Sequence, residues 1–155
     1  MDANDFVLLA LHATGGEIRG KTKLQKTVYF LGVMTGHLDD LGYRAHFYGP
    51  YSDEMADAAR RLRSVGFIDQ SVAGMGSVDR LGFEVSRTDY ALNKDGKQIA
   101  QAKAAAMPEF WKKLQRAAEA LRKAGDLDYM KLSIAAKTYF LLGEMKGKAT
   151  MAELV

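Results

Sequence analysis

A chain of 155 residues with a formal net charge of +3 and a sequence pI near 9.0 has the size of one domain, and 48% hydrophobic residues suffice for a core. With no cysteine there is no disulfide framework, no thiolate zinc site and no thiol nucleophile, a composition that suits a reducing compartment. No apolar run reaches the roughly 18 residues that span a bilayer, and Met1 to Asp5 holds two acids where a signal peptide carries positive charge, so a cytoplasmic protein off the membrane is expected.

The first predicted helix runs from about Asn4 to Thr14, with Phe6, Leu9, Ala10 and Ala13 on one stripe and Gly15-Gly16 as its stop. A second begins near Lys21. It places Leu24, Thr27, Val28, Leu31 and Met34 on one face and Tyr29 and Val33 on another, which predicts a helix covered on both sides. From Tyr43 to Tyr48 aromatic residues alternate with small or polar ones, predicting a short strand that turns at Gly49-Pro50. Tyr43, Phe47, Tyr48 and Tyr51 read as packing residues, since tyrosines alternating along a strand more often cover a helix than stack on bases.

Ser52 is the expected cap of a third helix, Asp53 to Val65, in which Met55, Ala58, Ala59, Leu62 and Val65 are apolar at helical spacing and Gly66 supplies the terminating left-handed residue. Two strands follow, about Phe67 to Val72 and Phe83 to Leu92, joined by a tip containing Gly74, Gly76 and Gly82 and expected to be mobile. Asn93 caps an alanine-rich helix to Met107. Pro108 opens another whose stripe is Phe110, Trp111, Leu114, Ala118 and Leu121. After a cap at Asp126, a last helix from Leu127 to Met145 is apolar almost all round, and a chain of this size has difficulty enclosing it, so this helix and the Trp111 helix are the expected interface of a homodimer. The fold class predicted is mainly α with a small antiparallel β-hairpin: a winged helix-turn-helix over residues 1–95, followed by a C-terminal helical extension over 96–155 that packs with it as one unit.

This order of elements, with Leu62-x-x-x-Gly66-Phe67-Ile68 and Tyr90-x-Leu92-Asn93-x-x-Gly96, resembles winged-helix regulators of the PadR and MarR type. Gly20-Lys21-x-Lys23-Leu24-Gln25-Lys26-x-x-Tyr29 and Phe47-Tyr48-Gly49-Pro50-Tyr51-Ser52 more closely resemble the Panacea, or SocA-like, antitoxin domains and related prokaryotic proteins, over roughly residues 1–70. The first resemblance implies a DNA-binding transcriptional regulator. The second implies an antitoxin or adaptor that uses the same fold to hold a protein partner such as a toxin.

Under the DNA reading the third helix enters the major groove, where Arg60, Arg61 and Arg63 would serve as base readers or phosphate clamps, because a guanidinium donates two parallel bonds. The ordinary alternative is that they answer Asp53, Glu54 and Asp57 along the same helix. Arg19, Lys21, Lys23 and Lys26 form the densest basic run, readable either as phosphate contacts at a helix start or as a solvated first turn. On the wing, Arg80 and Arg87 are candidates, diluted by Asp79, Glu84 and Asp89. Gly15-Gly16-Glu17-Ile18-Arg19-Gly20-Lys21-Thr22 matches the phosphate-loop pattern letter for letter, so a nucleotide-binding protein is a remote alternative. That loop needs a parallel sheet behind it, which the pattern of elements does not supply, and the segment reads as the turn between the first two helices.

No catalytic constellation emerges. His12, His37 and His46 lie on different elements without metal-ligand spacing, no Gly-x-Ser-x-Gly elbow occurs, and Asp39-Asp40 reads as a turn. The expectation is a non-enzymatic protein with no metal and no cofactor.

Overall fold

The computed structural model describes residues 1–46, 49–73 and 87–123. Its central element is α1 (Ala3–Ala13), capped by Asp2, whose side chain accepts from the Asp5 amide at 2.8 Å. Six successive residues, Phe6 to Leu11, are buried. A surface helix buries one stripe; α1 is instead enclosed on all sides because α2, α3, α4 and α5 all pack against it. Each large side chain so buried contributes roughly 1.5–3 kcal/mol of hydrophobic stabilisation.

The chain then forms a strand that the sequence pattern did not announce. Residues Glu17–Arg19 make β1, three residues long, bounded by Gly16 and Gly20 with φ of 89° and 106°. Glycine accepts those angles freely, so the chain reverses twice within a few residues. After α2 (Lys21–Thr35) and a 3-10 turn (Leu38–Leu41) come β2 (Arg44–His46) and β3 (Gly49–Tyr51), an antiparallel pair with Ala45 opposite Pro50. Gly49-Pro50 is therefore strand and not the expected turn. A proline without an amide hydrogen fits a two-stranded pair, where one side of each strand has no ladder to complete.

Helix α3 (Asp53–Ser64) is capped by Ser52 as expected, its side chain accepting from Met55 N–H at 3.1 Å. It ends at Gly66, φ 83°, where the Phe67 amide donates back to the Leu62 carbonyl at 2.9 Å. Strands β4 (Ile68–Ala73) and β5 (Arg87–Leu92) are antiparallel, and β1 adds to the far edge of β5, giving the sheet order β1-β5-β4. Asn93 caps α4 (Lys94–Ala106), accepting from the Gly96 amide at 2.8 Å, and Pro108 opens α5 (Pro108–Lys123).

The fold is mainly α with a small antiparallel sheet. Leaving aside β1 and the β2–β3 pair, the order α1, α2, α3, β4, β5, α4 is the helix, helix, helix, strand, strand, helix order read from the sequence, with α5 following. Ala100 and Ala104 of α4 and Leu114 of α5 belong to the same buried cluster as α1 and α3, so the core runs through the expected boundary at residue 95.

Two residues assigned to buried stripes are exposed: Met34, beside the end of α2, and Val65, the C-cap of α3. At both places the helix runs past the elements that cover its earlier turns. The predicted helix Leu127–Met145 with its Asp126 cap, the dimer face built on it, Phe47, Tyr48, the hairpin tip, Arg80 and the start of the strand at Phe83 lie outside the described residues.

Candidate functional site

On an α-helix successive residues turn by about 100°, so Arg60, Arg61 and Arg63 fan over roughly 160° of the α3 circumference instead of forming one stripe. All three are exposed. Arg60 pairs with Asp57 on its own helix, and Arg61 donates to the Asn4 side chain on α1 at 3.0 Å. Arg63 has no ion-pair partner among the described residues. The first half of α3 presents Asp53 and Glu54, and Asp53 is held by Arg44 of β2 at 3.0 Å. In a groove-reading helix the N-terminal residues meet the bases. Here that end is acidic, and the β2–β3 hairpin stands beside it.

The hairpin is fastened by a buried polar clamp. The Gln25 side chain on α2 donates to the Ser52 carbonyl at 2.9 Å and accepts from the Ser52 amide at 3.0 Å, so one amide group satisfies both main-chain groups of the α3 cap. The Ser52 hydroxyl donates to the Leu41 carbonyl, and the Tyr43 hydroxyl donates to the Gln25 carbonyl at 2.8 Å. Tyr43 meets Tyr29 edge to face at 5.3 Å, which bears out its reading as a packing residue. Burial pushes the Tyr29 hydroxyl up to about 12 and holds Tyr43 well above the usual tyrosine range, with Tyr29 adding to the shift. The Gln25 stretch and the Pro50-Tyr51-Ser52 stretch, separate in sequence, thus form one constellation.

Lys26 lies within it, and its assignment as a phosphate contact is corrected. The residue is 2% exposed, so its ammonium cannot meet a duplex from that position. No described residue forms an ion pair with it, and burial pulls it down to about 8. The other members of the basic run remain outside. Arg19, Lys23 and Arg87 converge around Gly20: the Arg87 stem lies 3.7 Å and the Lys23 Cβ 3.9 Å from where a Cβ on Gly20 would stand. Arg19 is tied to Glu17 at 2.7 Å, and Arg87 grips Asp89 with bonds of 2.7 and 3.1 Å. The Arg87 guanidinium in turn holds the Asp89 carboxyl below its usual range. Lys21 and Lys23 are exposed and have no ion-pair partner among the described residues, at the start of α2, where Gly20 provides no side-chain cap.

The phosphate-loop match does not form a cradle. The Gly16 amide donates to the Leu11 carbonyl at 2.7 Å and the Gly20 amide to Thr88 at 2.8 Å, while Glu17–Arg19 is a strand in an antiparallel sheet. The amides of both Gly16 and Gly20 are thus engaged within the fold. Of the histidines, His12 stacks on Trp111 and His37 approaches both Asp40, at 3.6 Å, and the edge of Phe110. Among the described residues no group of three His, Cys, Asp or Glu side chains is placed to hold a metal, and no helix is long and apolar enough to cross a membrane.

One surface feature was missed by the sequence reading. Between α1, the end of α3 and α4 runs a groove of about 440 Å³, with Val65, Phe67, Leu62 and Ile99 on its walls. Val65 is 61% exposed. Around the groove stand Arg61, bonded to Asn4, and Lys103, bonded to Asp5 at 2.6 Å.

No protein-family model matches the chain. Among curated proteins it is similar to the uncharacterized protein YwgA of Bacillus subtilis (strain 168), with 31% identity over 84 residues, 54% of this chain. The chain spans about half the length of that relative, 50% of it being matched.

Proposed function

We propose that the protein is a cytoplasmic winged-helix module of the antitoxin or adaptor kind, which binds a partner protein through the α1–α3–α4 face. The observation that carries this reading is the groove at Val65, Phe67 and Ile99: an apolar floor with a polar rim in which Arg61 is bonded to Asn4 and Lys103 to Asp5. Protein interfaces have this anatomy, an apolar centre inside a polar rim. The acidic first half of α3, with the Arg44–Asp53 pair beside it, disfavours the alternative in which that helix end enters a DNA groove.

The test is co-purification with the products of the adjacent genes. The expected result is a complex that survives high salt and is lost in Val65→Asp, an exposed position where the fold tolerates charge. A complex insensitive to Val65→Asp overturns the assigned face.

A second reading, a sequence-specific DNA-binding regulator, is favoured by Lys21, Lys23 and Arg63, which are exposed and have no ion-pair partner among the described residues. Binding to its own upstream DNA would then weaken steeply with salt, through counterion release. It would also disappear when Arg60, Arg61 and Arg63 are replaced together by alanine. Sequence-specific retention that meets both conditions would displace the adaptor reading.

A further inference from the structure

Strand β4 closes one side of the sheet β1-β5-β4, and among the described residues no strand pairs with its outer edge. Which of its main-chain groups face outward follows from the register. The Leu92 amide donates to the Gly16 carbonyl and the Gly20 amide to the Thr88 carbonyl, so Leu92, Tyr90 and Thr88 turn their polar groups toward β1. Alternation along β5 then turns Ala91, Asp89 and Arg87 toward β4, where they meet Asp69, Ser71 and Ala73. The N–H and C=O groups of Ile68, Gln70 and Val72 are left pointing away from the sheet.

An edge of this kind is a template for another strand, and proteins usually blunt it with lysine, proline or a bulge. This one is not blunted. Its pairing with β5 runs unbroken from Ile68 to Ala73, it holds no proline or lysine, and Val72 is 47% exposed. Its one charged residue is Asp69. About Gln70 the strand reads alike in both directions, with Asp69 and Ser71 as polar neighbours and Ile68 and Val72 as apolar ones beyond them.

We propose that β4 pairs antiparallel with β4 of a second copy of this chain, about a twofold axis at Gln70, joining two three-stranded sheets into one. In that register Gln70 faces Gln70 and Ile68 faces Val72 of the second copy, so every outward residue exchanges main-chain hydrogen bonds. The exposed Val72 gains an apolar neighbour in Ile68 of the second copy, and Asp69 comes opposite Ser71, whose hydroxyl can donate to it. Charge and register agree. Any other axis on β4 leaves at least one outward residue without a counterpart on the second β4, and an axis at Asp69 also opposes two carboxylates. A twofold contact closes on itself, so this one stops at two copies. It shares no lining residue with the α1–α3–α4 groove and is independent of the partner proposed for it.

A strand pair buries less surface than a standard interface, so the dimer is weak and concentration-dependent. Sedimentation velocity over a concentration series should show a monomer–dimer equilibrium. Gln70→Pro removes an outward amide hydrogen that the β4–β5 ladder does not use, so the expected result is loss of the dimer with the fold retained. Single cysteines read the register, since the chain has none of its own. Asp69→Cys mixed with Ser71→Cys should oxidise to a disulfide-linked heterodimer, because residues facing each other at such a position lie about 4.5 Å apart at Cα. Either variant alone should lose that product, its own copies meeting only diagonally at about 7–8 Å. A monomer throughout the series, a dimer that persists in Gln70→Pro, or equal linking by the mixed and the separate cysteine variants would each overturn the proposal. Asp69 and Ser71 are exposed, so a folding defect in the proline variant cannot mask the cysteine result.

Discussion

Lys26 carries a cost that the rest of the core must offset. A lysine that ionises at about 8, where an unfolded lysine ionises near 10.5, has its charged form penalised by about 3 kcal/mol in the folded state. Between those two values the unfolded chain holds a proton that the folded protein has released, so stability should rise with pH across that window. Tyr29 acts in the opposite sense: above its ordinary value of 10.0 the unfolded tyrosine loses a proton that the folded one keeps to about 12, and stability falls. We expect Lys26→Met to be more stable than the parent at pH 7 by about 1–3 kcal/mol, with the gain shrinking toward pH 10, measured by urea unfolding at stepped pH. Gly96 is a second decisive residue. A Cβ there would stand 2.0 Å from the Phe67 carbonyl oxygen, so Gly96→Ala must push α4 away from the Phe67 backbone and should cost about 2–3 kcal/mol of unfolding free energy. Caps such as Ser52, Gly66 and Asn93 were legible because their chemistry is local. Lys26 was not, although the signal existed: it lies three residues before Tyr29, on the second face already predicted to be covered.

At the scale of elements, the hairpin between α2 and α3 is where sequence reasoning was weakest. A glycine-proline pair usually marks a turn, and the pattern gave no reason to place it in a strand, because the two residues between His46 and Gly49, Phe47-Tyr48, carry none of the Gly, Asn or Asp that announce a two-residue hairpin connection. Three-residue β1 is too short to show periodicity, and flanking glycines made it look like a loop. What joins these pieces is the Gln25 side chain. Gln25→Leu keeps the volume but strands the Ser52 amide and carbonyl in a dry site, so a loss of about 2–4 kcal/mol is expected. Hydrogen exchange should locate the damage, with faster exchange at Ser52 and Met55 than at the α1 amides. Equal protection at all these sites would show that the clamp does not hold the α3 cap.

For the whole molecule, the sequence made the helical content and the three-helix-plus-hairpin order readable, because long amphipathic segments declare themselves. It also suggested a division near residue 95 with both sides packed together. The fused core around Leu114, Ala100 and α1 sharpens that into a prediction: a fragment ending at residue 95 should lack a cooperative unfolding transition by circular dichroism, since removing α4 and α5 uncovers the aliphatic side of α1. A fragment that melts sharply near the temperature of the parent would show that the first part folds alone. The functional surfaces were less legible than the fold. Charge was visible as a count, whereas which arginines are already engaged depends on neighbours far away in sequence, as with Arg61 and Asn4.

Synthesis order gives the central helix a further consequence. Residues Ala3–Ala13 are translated before the helices that shelter them, and one of those walls, α5 (Pro108–Lys123), follows about a hundred residues later. Until then Phe6 to Leu11 form a sticky nascent segment, and closure across so long a stretch of chain is slow. The demand on chaperones during translation should therefore concentrate at this segment.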